Sequence, residues 1–101
     1  MNKLYRHGDV IIKQVGDFPS DSIKQSHLTL AEGEATGHAH RITEGEAALF
    51  AFQNKKYLEV QSELALLTHE EHKALQLPRG TYEIIIQREY DDELEWRTVC
   101  D

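Results

Sequence analysis

Apolar and polar positions divide the chain into short extended segments. Val10-Ile11-Ile12 follows Gly8-Asp9 and precedes Val15-Gly16, and so short a β-branched run predicts a strand from about residue 9 to 15. Asp17-Phe18-Pro19-Ser20-Asp21-Ser22 has the residue types of a loop. Leu28-Thr29-Leu30 predicts a second strand. Residues 47–52 are apolar on both faces, as expected of a central, covered strand. Asn54-Lys55-Lys56 reads as a turn, and Tyr57-Leu58-Glu59-Val60 then alternates with Leu58 and Val60 inward. Residues 64–67 are apolar. Leu75-Gln76-Leu77 alternates and stops at Pro78-Arg79-Gly80, which reads as a turn. Residues 81–87 form the strongest strand, with Tyr82, Ile84 and Ile86 on one face. After the polar Asp91-Asp92-Glu93, Leu94, Trp96 and Thr98 predict a final strand with one wet face. Thr68 with Glu71 three residues on makes a capping box, which would start one helical turn. Glu32-Gly33-Glu34-Ala35 returns as Glu44-Gly45-Glu46-Ala47, and the glycine in each marks a turn. The pattern predicts an all-β chain, one domain over residues 1–101. It would be a small sandwich or barrel of six to eight short antiparallel strands with at most one short helical turn.

Composition narrows the partners. The 101 residues include 11 Lys and Arg against 18 Asp and Glu, a net charge of −7. Nucleic acid and anionic membrane are bound by basic patches, and the basic residues here are scattered. A nucleotide or nucleic-acid site using Arg41, Arg79 and Arg88 with the histidines is therefore the weakest of the functional readings. No apolar run approaches the roughly 18 residues of a membrane span, and the first residues hold no apolar signal segment. Cys100 is the one cysteine, so no internal disulfide forms, and it stands at the chain end as an incidental thiol. These features predict a soluble, cytoplasmic protein. No Gly-x-Ser-x-Gly elbow and no phosphate-cradling Gly-x-x-x-x-Gly-Lys loop is present.

Six histidines remain as the candidate chemistry. His38 and His40 stand two apart, and on a strand such residues share a face, as two ligands of one divalent ion must. Neutral imidazole suits transition metals, Zn and Fe foremost here. A zinc site takes three or four protein ligands, and His69, His72, Glu44, Glu34, Glu70 and Glu71 are the candidates for the rest. His69 and His72, three apart, share a face on a helical turn and point apart on a strand. Their spacing is one residue short of His-Glu-x-x-His, which discounts a metalloprotease. Set against the metal is a solvated pair hydrogen-bonded to neighbouring carboxylates. His7 and His27 read as ordinary surface or half-buried residues.

His38-Ala39-His40-Arg41-Ile42-Thr43-Glu44 fits His-x-His-x-x-x-Glu and so resembles the first metal motif of the cupins, with Pro78-Arg79-Gly80 like the Pro-x-Gly of the second. That resemblance implies a small β-barrel whose metal is held by two His, a Glu and a further His. Glu44 enters as a ligand on that ground. The pattern departs at Glu83, where a cupin has its last histidine, and at Ala51, where it has a glycine; His69 or His72 would have to substitute. A wider set is Arg6-His7-Gly8-Asp9-Val10, Thr36-Gly37-His38-Ala39-His40, His69-Glu70-Glu71-His72, Leu77-Pro78-Arg79-Gly80-Thr81-Tyr82 and Gln87-Arg88-Glu89-Tyr90. It resembles a group of small bacterial and phage-type proteins with no assigned activity. Two function classes follow. One is a β-domain with a mononuclear metal site on His38, His40, His69, His72 and Glu44, its reaction unknown. The other is a metal-free binding or assembly module, taking a small molecule, a protein or further copies of itself through a sheet edge.

Overall fold

The computed structural model describes residues 3–32 and 37–86. Glu34, Arg88, Tyr90, Cys100 and the expected strand at Leu94, Trp96 and Thr98 lie outside the described residues.

The described chain is all β. In chain order the strands are β1 (Leu4–His7), β2 (Val10–Val15), β3 (Ile23–Lys24), β4 (Thr29–Glu32), β5 (Ala39–Glu44), β6 (Ala47–Phe52), β7 (Lys55–His69) and β8 (His72–Ile86). They form one antiparallel sheet ordered β1-β2-β8-β7-β5-β4, with β6 on β7 and β3 on β6. The sheet curls into a half-barrel. Its concave face buries Val10, Ile12, Leu30, Leu49, Leu58, Val60, Leu67, Leu77, Tyr82 and Ile84. Val10 and Ile12, Leu58 and Val60, and Tyr82 and Ile84 keep period two, whereas the bulge in β7 and β8 shifts the parity between Val60 and Leu67 and between Leu77 and Tyr82.

Four expectations are corrected. The first concerns strand length: β7 and β8 are 15 residues each, not pairs of short strands. The interruptions at residues 61–63 and at Pro78-Arg79-Gly80 face each other across the hairpin. Val60 pairs with Gly80, then Leu64 with Pro78, so three residues of β7 bulge against one of β8. Pro and Gly are tolerated inside a strand at such a bulge. Arg79 Nε donates to the Gln61 carbonyl at 3.2 Å, and the Tyr82 hydroxyl donates to the Pro78 carbonyl at 2.6 Å.

The second is the helical turn. Thr68 and His69 end β7, His72 opens β8, and Glu70-Glu71 is a two-residue hairpin loop between them. Strand pairing on both sides closes the turn before a helix can start. The third is β6, which flanks β7 and carries only the two-residue β3 on its other side. Its second apolar face is covered by a loop: Phe18 packs on Phe50 and Tyr57, ring centroids 4.7 and 5.7 Å away. The expected turn also shifts to Gln53-Asn54, leaving Lys55 and Lys56 in β7.

Tyr82 is 1% exposed, and burial, with Tyr5 beside it, pushes its hydroxyl up to about 12. Tyr82→Phe leaves the Pro78 carbonyl without that donor. We expect a loss of roughly 1–2 kcal/mol in urea unfolding, with the fold retained.

Candidate metal centre

Two tight hairpins and one strand entrance build the site. The β1–β2 hairpin pairs His7 with Val10 across the two-residue loop Gly8-Asp9. The β7–β8 hairpin pairs His69 with His72 across Glu70-Glu71. His38 and His40 stand at and just before the start of β5. β5 pairs with β7, Arg41 opposite Thr68, so the strand entrance lies beside the β7–β8 tip, and curling of the sheet brings the β1–β2 tip to both. β1 and β5 are separated by β2, β8 and β7 in sheet order, yet His7 Nδ1 and His40 Nδ1 are 2.9 Å apart.

The ligand atoms of His40, His69 and His72 lie within 4.8 Å of one another. The ring centroids are 4.3 Å apart for His40–His69, 4.6 Å for His69–His72 and 5.8 Å for His40–His72. A second, outer group joins His38, His69 and Glu70 within the same limit. His40, His69 and His72 thus form one group, and His38 meets His69 only in the other. The reason His69 and His72 share a side is neither a helix nor a single strand: they are direct partners across a hairpin end. Glu44 is in neither group. It lies four residues beyond His40 on β5, roughly 13 Å along the strand, and lines a shallow hollow with Gly45, Leu64 and Gln76.

His7 corrects the reading as a surface or half-buried residue. It is 4% exposed, and its ring meets those of His40, His72 and His69 at 5.0, 5.6 and 6.4 Å. The missed signal was a His-Gly-Asp hairpin tip directly before a strand. His27, by contrast, is exposed and accepts the Thr29 N–H on Nδ1 at 3.1 Å, outside the cluster.

The hydrogen bonds fix where the ring protons are. The Lys73 carbonyl, 2.8 Å from His7 Nε2, can only accept, so His7 Nε2 carries hydrogen. Neutral His7 therefore presents a lone pair at Nδ1, and His40 Nδ1–H donates to it. His40 is left with a lone pair at Nε2, the atom that faces Asp9 Oδ1 at 3.4 Å. A metal-binding histidine is set up in this way, its second nitrogen held by an outer partner. Burial first, then the neighbouring rings of His69 and His7, keep His40 neutral by pulling it down to about 4. His7 is lowered chiefly by burial, against the Lys73 carbonyl.

His69 is the ligand with a competing bond: its Nδ1 accepts the Glu71 N–H at 3.0 Å, which puts its proton on Nε2. Ligation through either nitrogen gives up that bond. The outer group is weaker because Glu70 is already engaged. One oxygen accepts the Ala39 N–H at 3.0 Å and the other is 3.6 Å from Arg41. The Ala39 bond, foremost, holds the Glu70 carboxyl below its usual range. Glu70 thereby ties the β7–β8 tip to the strand entrance between His38 and His40. Glu71 stands 3.5 Å from His38 Nδ1.

Gly8 lets the rings of His72 and His40 pack close against the β1–β2 tip. With φ at +65°, a Cβ there would lie 2.6 Å from His72 Nε2 and 3.1 Å from His40 Cε1. A side chain there would displace the His72 ring and strain the backbone as well.

With this geometry in view, the chain matches, over residues 6–87, the family described as Domain of unknown function (DUF8820). The chain belongs to that family. All the residues of the candidate centre fall inside the matched stretch. No curated protein and no solved structure matches the chain. Among the described residues no helix is long and apolar enough to cross a membrane.

Neutral burial of His40 makes stability depend on pH. The unfolded chain protonates this histidine near 6.5, the folded one near 4. Between those values the unfolded state holds more protons, so stability is full above pH 6.5 and falls as the pH drops towards 4. The metal-free protein should lose on the order of 2–3 kcal/mol across that window, and His7 adds in the same direction. Urea unfolding in chelator at stepped pH checks this. His40→Gln should flatten the slope; an equally steep slope in that variant would refute the assignment.

Proposed function

We propose that this chain is a small β-domain that holds one divalent transition metal, Zn²⁺ or Fe²⁺, on His40, His69 and His72. The observation that carries the reading is the convergence of three imidazoles at the adjoining ends of β5, β7 and β8 within ligand distance. The buried relay through His7 supports it, because it aims the His40 lone pair outward. So does Gly8, whose missing side chain lets two of the rings approach the β1–β2 tip. The inner group is preferred to the outer because Glu70 is held by Ala39 and Arg41.

Bound metal would contribute in two ways. It would clamp the β7–β8 tip to β5 in a chain small enough to profit from a staple. Three protein ligands also leave a position where a metal polarises water or a small ligand.

The test is a titration of chelator-stripped protein with Zn²⁺, read by calorimetry and by native mass. One ion per chain is expected. His40→Gln, His69→Ala and His72→Ala should each weaken binding by more than the roughly 10–100-fold that loss of an outer partner costs. His7→Gln should fall within that smaller range, and Glu44→Gln should bind as the parent does. No ion bound by folded parent protein would leave the chain as a metal-free binding module.

The Gly8 reading has its own check. Gly8→Ala should abolish Zn²⁺ binding in the same titration and cost about 1–2 kcal/mol of metal-free stability, from positive φ alone.

A further inference from the structure

The two candidate ligand groups share one member. His69 belongs to the inner set with His40 and His72, and to the outer set with His38 and Glu70. A neutral imidazole has one nitrogen free of hydrogen, so His69 ligates one ion at a time. The two groups are therefore alternative positions for a single ion rather than sites for two.

Their surroundings differ. The inner position rests on His40, whose side chain is 1% exposed, and has no carboxylate among its three members. The outer position lies nearer water, with the side chains of His38 and Glu70 24% and 38% exposed. It also carries negative charge: Glu70 belongs to it, and Glu71 stands 3.5 Å from His38 Nδ1. Arg41 offsets one of those charges and leaves the other. A cation arriving from solvent is drawn to this side first. Glu70 suits a passing ion better than a permanent one. Ala39 N–H and Arg41 take up part of the carboxylate. It keeps lone pairs beyond those, roughly four being available in all, and such bonds hold ligating carboxylates in place.

Resting on the metal reading above, we propose that His38, His69 and Glu70 are the station where the divalent ion is taken up and released, and that His69 carries it between this station and His40–His72. Moving inward, the bonds to His38 and Glu70 break as those to His40 and His72 form, while the bond to His69 stays. The metal is then exchangeable, and His38 and Glu70 set how fast it comes and goes rather than how tightly it is finally held.

Full-length, chelator-stripped protein and Zn²⁺ alone test this. His72→Ala removes an exposed member of the inner set and should keep one weaker ion. Adding His38→Ala or Glu70→Gln to it should cost a further tenfold or more, about what a lost outer partner costs at least. Glutamine still accepts the Ala39 N–H, so the tie between the β7–β8 tip and β5 survives that change. Residual binding indifferent to both additions is an adventitious ion only and overturns the proposal. So does a folded His72→Ala chain that binds nothing. In the otherwise native chain, His38→Ala should leave Zn²⁺ affinity near the parent's. It should slow both capture of Zn²⁺ and its loss to a competing chelator about tenfold in stopped flow. Rates equal to the parent's overturn the proposal while leaving the three-histidine site standing. A parent that binds no Zn²⁺ removes the metal reading and the exchange route with it.

Discussion

The hydrogen bond between His7 and His40 is the contact on which the rest depends. It joins the edge strand β1 to β5 across a sheet in which three strands lie between them. Buried imidazole is costly unless both nitrogens are satisfied. Here the chain of donors starts at His40, passes through His7 and ends on the Lys73 carbonyl. One end of that chain closes the half-barrel onto β8. The other end leaves a single directed lone pair at His40 Nε2, and the candidate site grows from it.

The site is economical in sequence because it is built from hairpin ends. A two-residue loop forces the residues on either side of it to be cross-strand partners, so their side chains share a face. This makes His69 and His72 neighbours, and it sets His7 next to Gly8 and Asp9. Glu70 fastens the β7–β8 tip to the Ala39 amide, between the two histidines of the strand entrance. The acidic groups Asp9, Glu70 and Glu71 surround the rings, so the field there favours a cation, in keeping with the negative chain as a whole.

His38 and His40 were readable as a pair, since period two on a strand is a local property. They nevertheless divide between the inner and outer groups, both facing His69. His69 and His72 were readable as candidates but not in their arrangement: a capping box pointed to a helical turn where pairing of two long strands makes a hairpin. Pro78-Arg79-Gly80 misled for the same reason. Its turn chemistry is local, whereas the bulge it occupies exists because residues 61–63 face it from another strand.

Sequence alone determined the all-β class, the alternation of residues 57–60 and 81–86, and the two short motifs where histidines concentrate. These follow from side-chain periodicity and turn chemistry, which act over a few residues. Tertiary structure decided which histidines meet. It brought His7 in, though 33 residues separate it from His40 and 66 from Lys73, and it placed Glu44 along the strand, outside both groups. The physical reason is that register and curl are long-range: pairing of Arg41 with Thr68 sets His40 beside His69, and curl of the whole sheet brings His7 to His40.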